Sequence, residues 1–283
     1  MNTLKNFNPI VLLIYFIYVL FISIFSFNPI LLISGMLGAV LYCLVVSDKR
    51  SLLKSIAACI IILLAVTITN PLFSHNGKTV LFFINDNRVT LEAFVYGAVL
   101  GLCITEVILW FNCFNLVFDT ERFIFLFGKI SPKLALVLSM TLRFIPNFIK
   151  SFREINRTQK LISNKRRLKR YLNSFSAVIT QAMENSIITS DSMNSRGYGS
   201  KKRTFYSRFR FTLSDAVFLI ITSVLFVLSV VYKTDFTYYP ELIFPSINFL
   251  EALGYLSFII LTFIPFIYEL KEGIRWKYLI SKI

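Results

Sequence analysis

The sequence has little of what enzymes and metalloproteins use for chemistry. Its 283 residues include a single histidine, His75, and 15 acidic residues against 30 Lys and Arg. His75 has no Cys or His neighbour at ligand spacing, so a polar loop role is favoured over a metal site. No GxxxxGK[ST], GxSxG or HExxH motif occurs, which argues against a nucleotide hydrolase and leaves an enzymatic function without a catalytic group.

The cysteines are few and lack a functional arrangement. Cys43, Cys59, Cys103 and Cys113 all lie inside apolar segments, and none is part of a CxxC pair. That spacing fits neither a zinc site nor an extracellular disulfide framework. The four cysteines are therefore predicted to be small residues of an apolar core.

Apolar residues are what the chain has in excess. They make up 56% of the sequence, with 30 Phe, and they form segments long enough to cross a bilayer. Lipid cannot satisfy backbone N–H and C=O groups, so these segments are predicted to be helices. The fold class is thus an all-α polytopic membrane protein with about six spans, at residues 10–27, 30–46, 55–69, 91–116, 216–232 and 247–267. The third of these is shorter and can cross with the help of Leu52 and Leu53.

Positive charge is concentrated in one insert between the spans. Residues 119–213 hold 19 Lys and Arg against 5 Asp and Glu, which is nearly the whole surplus of +15. The positive-inside rule places this insert and both termini in the cytoplasm, and Arg143 argues against a further crossing at 134–149. Contact with anionic lipid explains the charge better than nucleic-acid binding does. The predicted division is 1–118, 119–213 and 214–283.

Two helices are predicted inside the insert. From Arg143 to residue 155 the apolar residues follow one helical stripe, with Pro146 near the first turn. The charged run 164–170 is predicted to be a solvated loop. A second helix is expected over 176–196, where Gly197 suits a left-handed cap and Arg196 complements the helix dipole. From spacing alone, Arg196 could be a capping cation or a docking residue.

Two carboxyl groups lie in the fourth predicted span. Glu92 and Glu106 are fourteen residues apart and share a helical face. Glu92 is close to the outer interface, where a structural role is favoured. Glu106 lies well inside the membrane, where an ionisable group is either functional, for example as a proton relay, or bonded to a polar neighbour. Both interpretations of Glu106 stay open.

An ordered set of motifs runs from residue 70 to residue 215. It comprises Asn70-Pro71-Leu72-Phe73, Thr90-Leu91-Glu92-Ala93, Pro132-Lys133-Leu134-Ala135, Leu142-Arg143-Phe144-Ile145-Pro146, Ala182-Met183-Glu184 and Ser195-Arg196-Gly197-Tyr198-Gly199. In order and spacing this set resembles the transmembrane T component of energy-coupling factor (ECF) transporters, the EcfT/CbiQ-like family. No single motif is decisive, but the set is specific.

The resemblance implies a non-catalytic subunit of a bacterial cell-membrane importer for a vitamin or metal ion. Its partners would be two cytosolic ABC ATPases, which bind the ATP and Mg, and a small membrane S component that holds the substrate. Two coupling helices each end in an arginine motif that docks on an ATPase. The second motif falls on Ser195, Arg196 and Gly197. The first falls on residues 158–163, where Gln159 is kept but Ile162 replaces the arginine.

The resemblance also implies that the first coupling helix passes motion to the S component. The residues expected at that contact are Arg143, Phe144, Pro146, Phe148 and Phe152. A proton-coupled secondary transporter that uses Glu106 is the alternative function, and a membrane-embedded enzyme is a third. Neither alternative accounts for the ordered motifs of the basic insert.

Overall fold

The chain is almost wholly helical in the computed structural model. The structure describes residues 3–74, 77–84, 87–162, 167–199, 209–233, 236–240, 242 and 248–280. His75, residue 163 of the segment 158–163 and residues 164–166 of the charged run lie outside this part. A 3-10 turn, Thr3–Asn6, precedes the first helix. The described helices are α1 (Pro9–Phe25), α2 (Pro29–Val46), α3 (Lys49–Phe73), α4 (Leu91–Val117), α5 (Thr120–Ile130), α6 (Pro132–Ile162), α7 (Arg167–Ser195), α8 (Leu213–Val231) and α9 (Phe249–Ile280). Strands β1 (Val80–Ile84) and β2 (Asn87–Thr90) form one antiparallel hairpin between α3 and α4.

The helices form two compact units. The first consists of Met1–Asp119 with Phe209–Ile283, and the second is Thr120–Arg208. The first unit therefore contains α1 to α4, α8, α9 and the hairpin. The second contains α5, α6 and α7.

Asparagine and proline define two helix starts in the first unit. Asn8 and Asn28 each precede a proline, and each side-chain oxygen accepts the N–H two residues later, at Ile10 (3.1 Å) and Ile30 (3.0 Å). Proline costs nothing at the first helical position, where its missing N–H has no partner in any case. The sequence Asn-Pro-Ile thus sets the first turn of both α1 and α2.

Small residues let α2 lie close to its neighbours. Gly35, Ala39 and Cys43 recur every fourth residue, and the thiol of Cys113 on α4 lies 3.6 Å from the Ala39 carbonyl oxygen. On another side of α2, a side chain at Gly38 would meet the Thr262 carbonyl oxygen of α9 at 2.9 Å. Small residues at such spacing are how membrane helices approach each other closely. Cys43, Cys59 and Cys113 are buried, as predicted for core residues, whereas Cys103 is only partly buried. The sulfur atoms of Cys43 and Cys113 are 3.2 Å apart.

The α3–α4 contact uses the same device. A Cβ atom at Gly97 of α4 would lie 2.8 Å from the Cβ of Asn70 on α3, and one at Gly101 would lie 3.1 Å from the Leu63 carbonyl oxygen. Glycine at both positions therefore allows the two helices to approach closely. The amide of Asn70 donates to the Ala93 carbonyl at 2.7 Å. This bond joins the end of α3 to the start of α4 across the intervening hairpin.

Six described helices are long and apolar enough to cross a membrane. They are α2, α3, α4, α6, α8 and, within α9, Phe249–Arg275. The polytopic all-α fold is thus confirmed, but the set of spans differs from the sequence-based one. The 17-residue α1 is slightly shorter than the six, whereas α6, which Arg143 argued against as a crossing, is among them. Seventeen residues are still the lower limit for spanning hydrocarbon.

Helix lengths in the second unit were predicted wrongly. α6 has 31 residues rather than the stretch 143–155, so Pro146 lies in the helix interior instead of near the first turn. α7 begins at Arg167, so the second half of the charged run is helical rather than loop. α5 and the β-hairpin were not predicted. In the first unit, α9 continues thirteen residues beyond the predicted end at 267.

Candidate docking helix ends and buried carboxyl

The end of α7 is closed by a Schellman motif. Ser195 is the last helical residue, and Gly197 has a φ of 78°, the left-handed conformation that glycine adopts without steric cost. The Gly197 N–H donates to Asn194 O at 2.9 Å, and the Tyr198 N–H donates to Met193 O at 3.0 Å. These two bonds satisfy carbonyl groups that the helix end would leave without partners. The prediction of Gly197 as a left-handed cap is confirmed.

Arg196 sits between the helix and this cap. Its backbone N–H donates to Ser192 O and Met193 O, while its side chain is exposed. The Ser195 hydroxyl turns back and donates to Asp191 O at 2.9 Å, so it is engaged within the helix. Across the described residues, no acidic side chain forms an ion pair with Arg196. The Schellman motif itself uses only backbone groups of Arg196, which leaves its guanidinium available.

α6 and α7 run antiparallel. Gln159 accepts a hydrogen bond from the Ser174 hydroxyl at 3.3 Å, and Asn156 accepts one from the Arg170 side chain at 3.3 Å. The Phe152 ring stacks on Tyr171 with centroids 6.2 Å apart. These contacts place the end of α6 beside the beginning of α7. Ser174 and Ser195 are 21 residues apart, about 30 Å along a helix.

The two predicted docking segments therefore lie at opposite ends of α7. Gln159 is half-buried against α7, but Ile162 is 80% exposed and its neighbour Leu161 is 88% exposed. Where the resemblance predicts an arginine, this chain has two exposed apolar side chains. The structure thus separates Gln159 and Ile162 from Ser195, Arg196 and Gly197.

The predicted coupling residues divide between two sides of α6. Phe144, Phe148 and Phe152 are half-buried, while Arg143 and Pro146 are exposed. The predicted apolar stripe of α6 therefore has two parts. Its phenylalanines are half-buried, whereas Ile145 and Ile149 are exposed. Phe144 also lines a cavity at the C-terminal end of α7.

This cavity beside the C-terminal end of α7 has a volume of about 310 Å³. Met140 and Phe144 of α6 line it together with Met193 and Tyr198, and the rest of its wall is Ser186, Thr189, Ser190 and Asn194. Met193 and Tyr198 are also the two residues joined by the Tyr198 N–H to Met193 O hydrogen bond of the Schellman motif. The residues on either side of Ser195-Arg196-Gly197 thus share one cavity with α6. Sequence reasoning missed Tyr198 in this position, although an aromatic residue directly after a left-handed glycine is a signal for such a contact.

Glu106 is fully buried in the first unit. One carboxyl oxygen accepts a hydrogen bond from the Ser23 hydroxyl of α1 at 2.7 Å. The same oxygen lies where a side chain at Gly35 of α2 would be, only 1.8 Å from the ideal Cβ position. The other oxygen is buried without a hydrogen-bond partner among the described residues. Ser23, Gly35 and Glu106 thus bring α1, α2 and α4 together at one point, and sequence reasoning had found only Glu106.

Glu92 has a structural role, as its sequence position suggested. Its two carboxyl oxygens accept the Thr79 N–H at 3.1 Å and the Thr79 hydroxyl at 2.8 Å. The Thr90 hydroxyl accepts the Ala93 N–H at 3.4 Å and so caps α4. Glu92 and Thr90 together fix the hairpin to the first turn of α4.

Comparison with known proteins identifies one family. The family model CbiQ, described as cobalt transport protein, matches residues 2–207. Individually curated proteins give no significant match. In the described part of the chain, no three His, Cys, Asp or Glu side chains lie close enough together to hold a metal ion.

Proposed function

Because the chain belongs to the CbiQ family of cobalt transport proteins, we propose that it is the coupling subunit of an ECF-type importer. In this proposal it is the T component of a bacterial cell-membrane complex. Two cytosolic ABC ATPases bind ATP and Mg, and a small membrane S component carries a vitamin or a metal ion. The chain itself performs no catalysis and transmits motion between these partners.

The exposed Arg196 at the capped end of α7 is the observation that carries the proposal. A guanidinium stays charged and can form paired hydrogen bonds with carboxylate or carbonyl oxygens of a partner. Helix α7 and its glycine cap hold the backbone on either side of Arg196. An exposed cation on such a support suits the docking of another subunit.

The antiparallel α6–α7 pair supports the use of two ATPases. Its two docking segments are about 30 Å apart by the helical rise, so each can meet a separate subunit. When ATP closes the ATPase pair, force applied at either end acts on α6, which carries Phe144, Phe148 and Phe152. These phenylalanines are half-buried in the helix pair, so the exposed Arg143 and Pro146 are the predicted contact residues through which motion would reach the S component.

The orientation with both termini in the cytoplasm belongs to this proposal. It places the basic second unit on the side of the ATPases, in agreement with the positive-inside rule. It requires α1 to cross the membrane and α6 to stay on the cytoplasmic side.

Co-purification tests the proposal. The tagged chain, extracted in detergent from its native host, should retain two ABC ATPase subunits and a small membrane protein. Arg196→Glu should release the ATPase next to that helix end, because the docking charge is reversed, while membrane insertion is unchanged. ATP-driven uptake should fall with it.

Arg210→Glu is the matched control, because Arg210 is also exposed and the change in charge is identical. The control should retain both ATPases. If both variants lost the ATPases equally, the loss would be an effect of overall charge and not of docking through Arg196. If the native chain retained no ATPase, the coupling role would be refuted.

The alternative function rests on Glu106. A fully buried carboxyl with one oxygen lacking a partner in the described residues is also what a proton-coupled secondary transporter would need. That function predicts transport by the chain alone, driven by a proton gradient and independent of ATP.

A further inference from the structure

Strand β1 is an apolar strand on the outer edge of the hairpin. Its five residues, Val80–Ile84, include no charge and no proline. Its hydrogen-bonded neighbour is β2, and β2 is the strand that packs against α3 and α4. On β1, Leu81 is 52% exposed and Phe83 is 66% exposed. In water an apolar edge strand of this kind invites aggregation, and soluble proteins protect such edges with charges.

The hairpin is held tightly at the ends of two membrane helices. β2 ends at Thr90 and α4 begins at Leu91, so no linker separates them. The Leu91 N–H donates to Thr79 O at 3.1 Å, and Glu92 accepts two further hydrogen bonds from Thr79. Val89 is buried, which fixes the inner face of β2. The hairpin thus stays at the level where α3 ends and α4 begins, which is a membrane boundary.

A cation accompanies the exposed aromatic ring on the outer face. Arg88 of β2 is directly opposite Phe83 of β1 in the strand register, and Arg88 is exposed. An apolar or aromatic side chain beside a cation is typical of segments in the headgroup layer, where the ring enters the acyl boundary and the cation meets phosphate.

The depth of the strand follows from its backbone. An edge strand has N–H and C=O groups that its own sheet does not pair, and these exclude it from the hydrocarbon interior. Water and phosphate oxygens satisfy such groups at headgroup depth. The apolar side chains and the unpaired backbone are both accommodated only in this layer.

We propose that the outer face of the β1–β2 hairpin is a membrane-interface anchor, with Leu81 and Phe83 in the acyl boundary and Arg88 on lipid phosphates. Lipid is favoured over a protein partner because the exposed surface continues along α3, whose last residues Leu72 and Phe73 are exposed. That surface of a membrane-spanning helix already faces the bilayer. The anchor is independent of the ATPase-coupling proposal.

Tryptophan fluorescence in phospholipid vesicles tests the anchor. Phe83→Trp is introduced into the full chain with Trp276→Phe, so that the fully buried Trp110 is the only other indole. The protein is reconstituted alone and together with its co-purified partners. Lipids brominated near the headgroup should quench the introduced indole far more than the Trp276→Phe background, and aqueous iodide should not.

Leu81→Trp is a second probe in case the first variant folds poorly. Leu81 lies at the bulge between Val80 and Phe82 and is likewise exposed, so the same quenching pattern is expected. In the Phe83→Trp protein, Arg88→Glu should reduce quenching by the headgroup-brominated lipid, because phosphate repels the carboxylate.

Two results would overturn the proposal. Quenching by iodide without quenching by lipid would place the face in water. Protection from both quenchers that depends on a co-purified membrane protein would show that a protein strand, rather than lipid, covers β1.

Discussion

At the scale of single residues, glycine shapes the backbone or makes space at two of the candidate sites. Gly197 has a positive φ that places Tyr198 back against Met193. Gly35 serves a different purpose, since its missing side chain makes space for the Glu106 carboxyl. The first of these could be foreseen from the sequence, because an Arg-Gly pair after a helical pattern marks a cap. The second could not, because it depends on which helix packs against Glu106.

The Gly197 cap leads to a prediction about docking. Gly197→Ala should weaken ATPase retention several-fold, because a non-glycine residue in the left-handed conformation costs roughly 1–2 kcal/mol. Gly197→Asn should lose much less, since asparagine tolerates that conformation. Retention of the ATPases by the two variants, measured by quantitative pull-down at equal expression, gives the comparison. Equal retention would show that the cap does not position Arg196.

At the scale of secondary structure, α6 and α7 are longer than their local sequence indicates. Arg167, Lys169 and Arg170 lie at the start of α7, where the helix dipole disfavours cations. Contacts with α6 outweigh this effect: the Arg170 side chain bonds Asn156, and Tyr171 stacks on Phe152. Pro146 likewise interrupts the sequence pattern but not α6, whose turns on both sides continue. Tertiary packing therefore decided the lengths that periodicity could not.

The two proposed docking segments differ in chemistry, since one ends in Ile162 and the other carries Arg196, and this difference predicts unequal docking of the two ATPases. Ile162→Glu should release one ATPase, because a charge replaces an exposed apolar contact beside Leu161, while the ATPase at Arg196 remains bound. Lys160→Glu, at an exposed neighbouring position, shows whether charge alone matters at this end. The ratio of ATPase to tagged chain, determined by native mass spectrometry, separates the outcomes. Full retention of both ATPases in Ile162→Glu would exclude the end of α6 from docking.

At the scale of the whole molecule, the proposed function requires partners and the alternative does not. In proteoliposomes, the chain alone should show no uptake in a proton gradient. The complete complex should take up substrate with ATP, and Glu106→Gln should preserve most of that uptake, because an amide oxygen still accepts the Ser23 hydroxyl. Uptake of radiolabelled substrate by both preparations measures this. Proton-driven uptake by the chain alone that Glu106→Gln abolishes would establish the secondary transporter instead.

The sequence by itself determined the class of the molecule. Its apolar segments require membrane helices because lipid offers the backbone no hydrogen-bond partners, and five predicted spans contain helices of sufficient length and apolarity. The charge distribution identified a basic insert between the spans, and the motif Ser195-Arg196-Gly197 predicted a capped helix end. These features are local or compositional, so they can be seen without knowing what lies next to what.

Only the tertiary structure decided which residues meet. Glu106 and Ser23 are 83 residues apart in the chain, and Arg170 and Asn156 belong to different helices. The β-hairpin depends on Glu92 accepting hydrogen bonds from Thr79, thirteen residues earlier. Each of these polar side chains could bond to several others, and the local sequence does not indicate which partner lies next to it in the fold. For the Glu106–Ser23 contact the packing reason is visible, because the missing side chain of Gly35 on α2 leaves the space that the Glu106 carboxyl occupies.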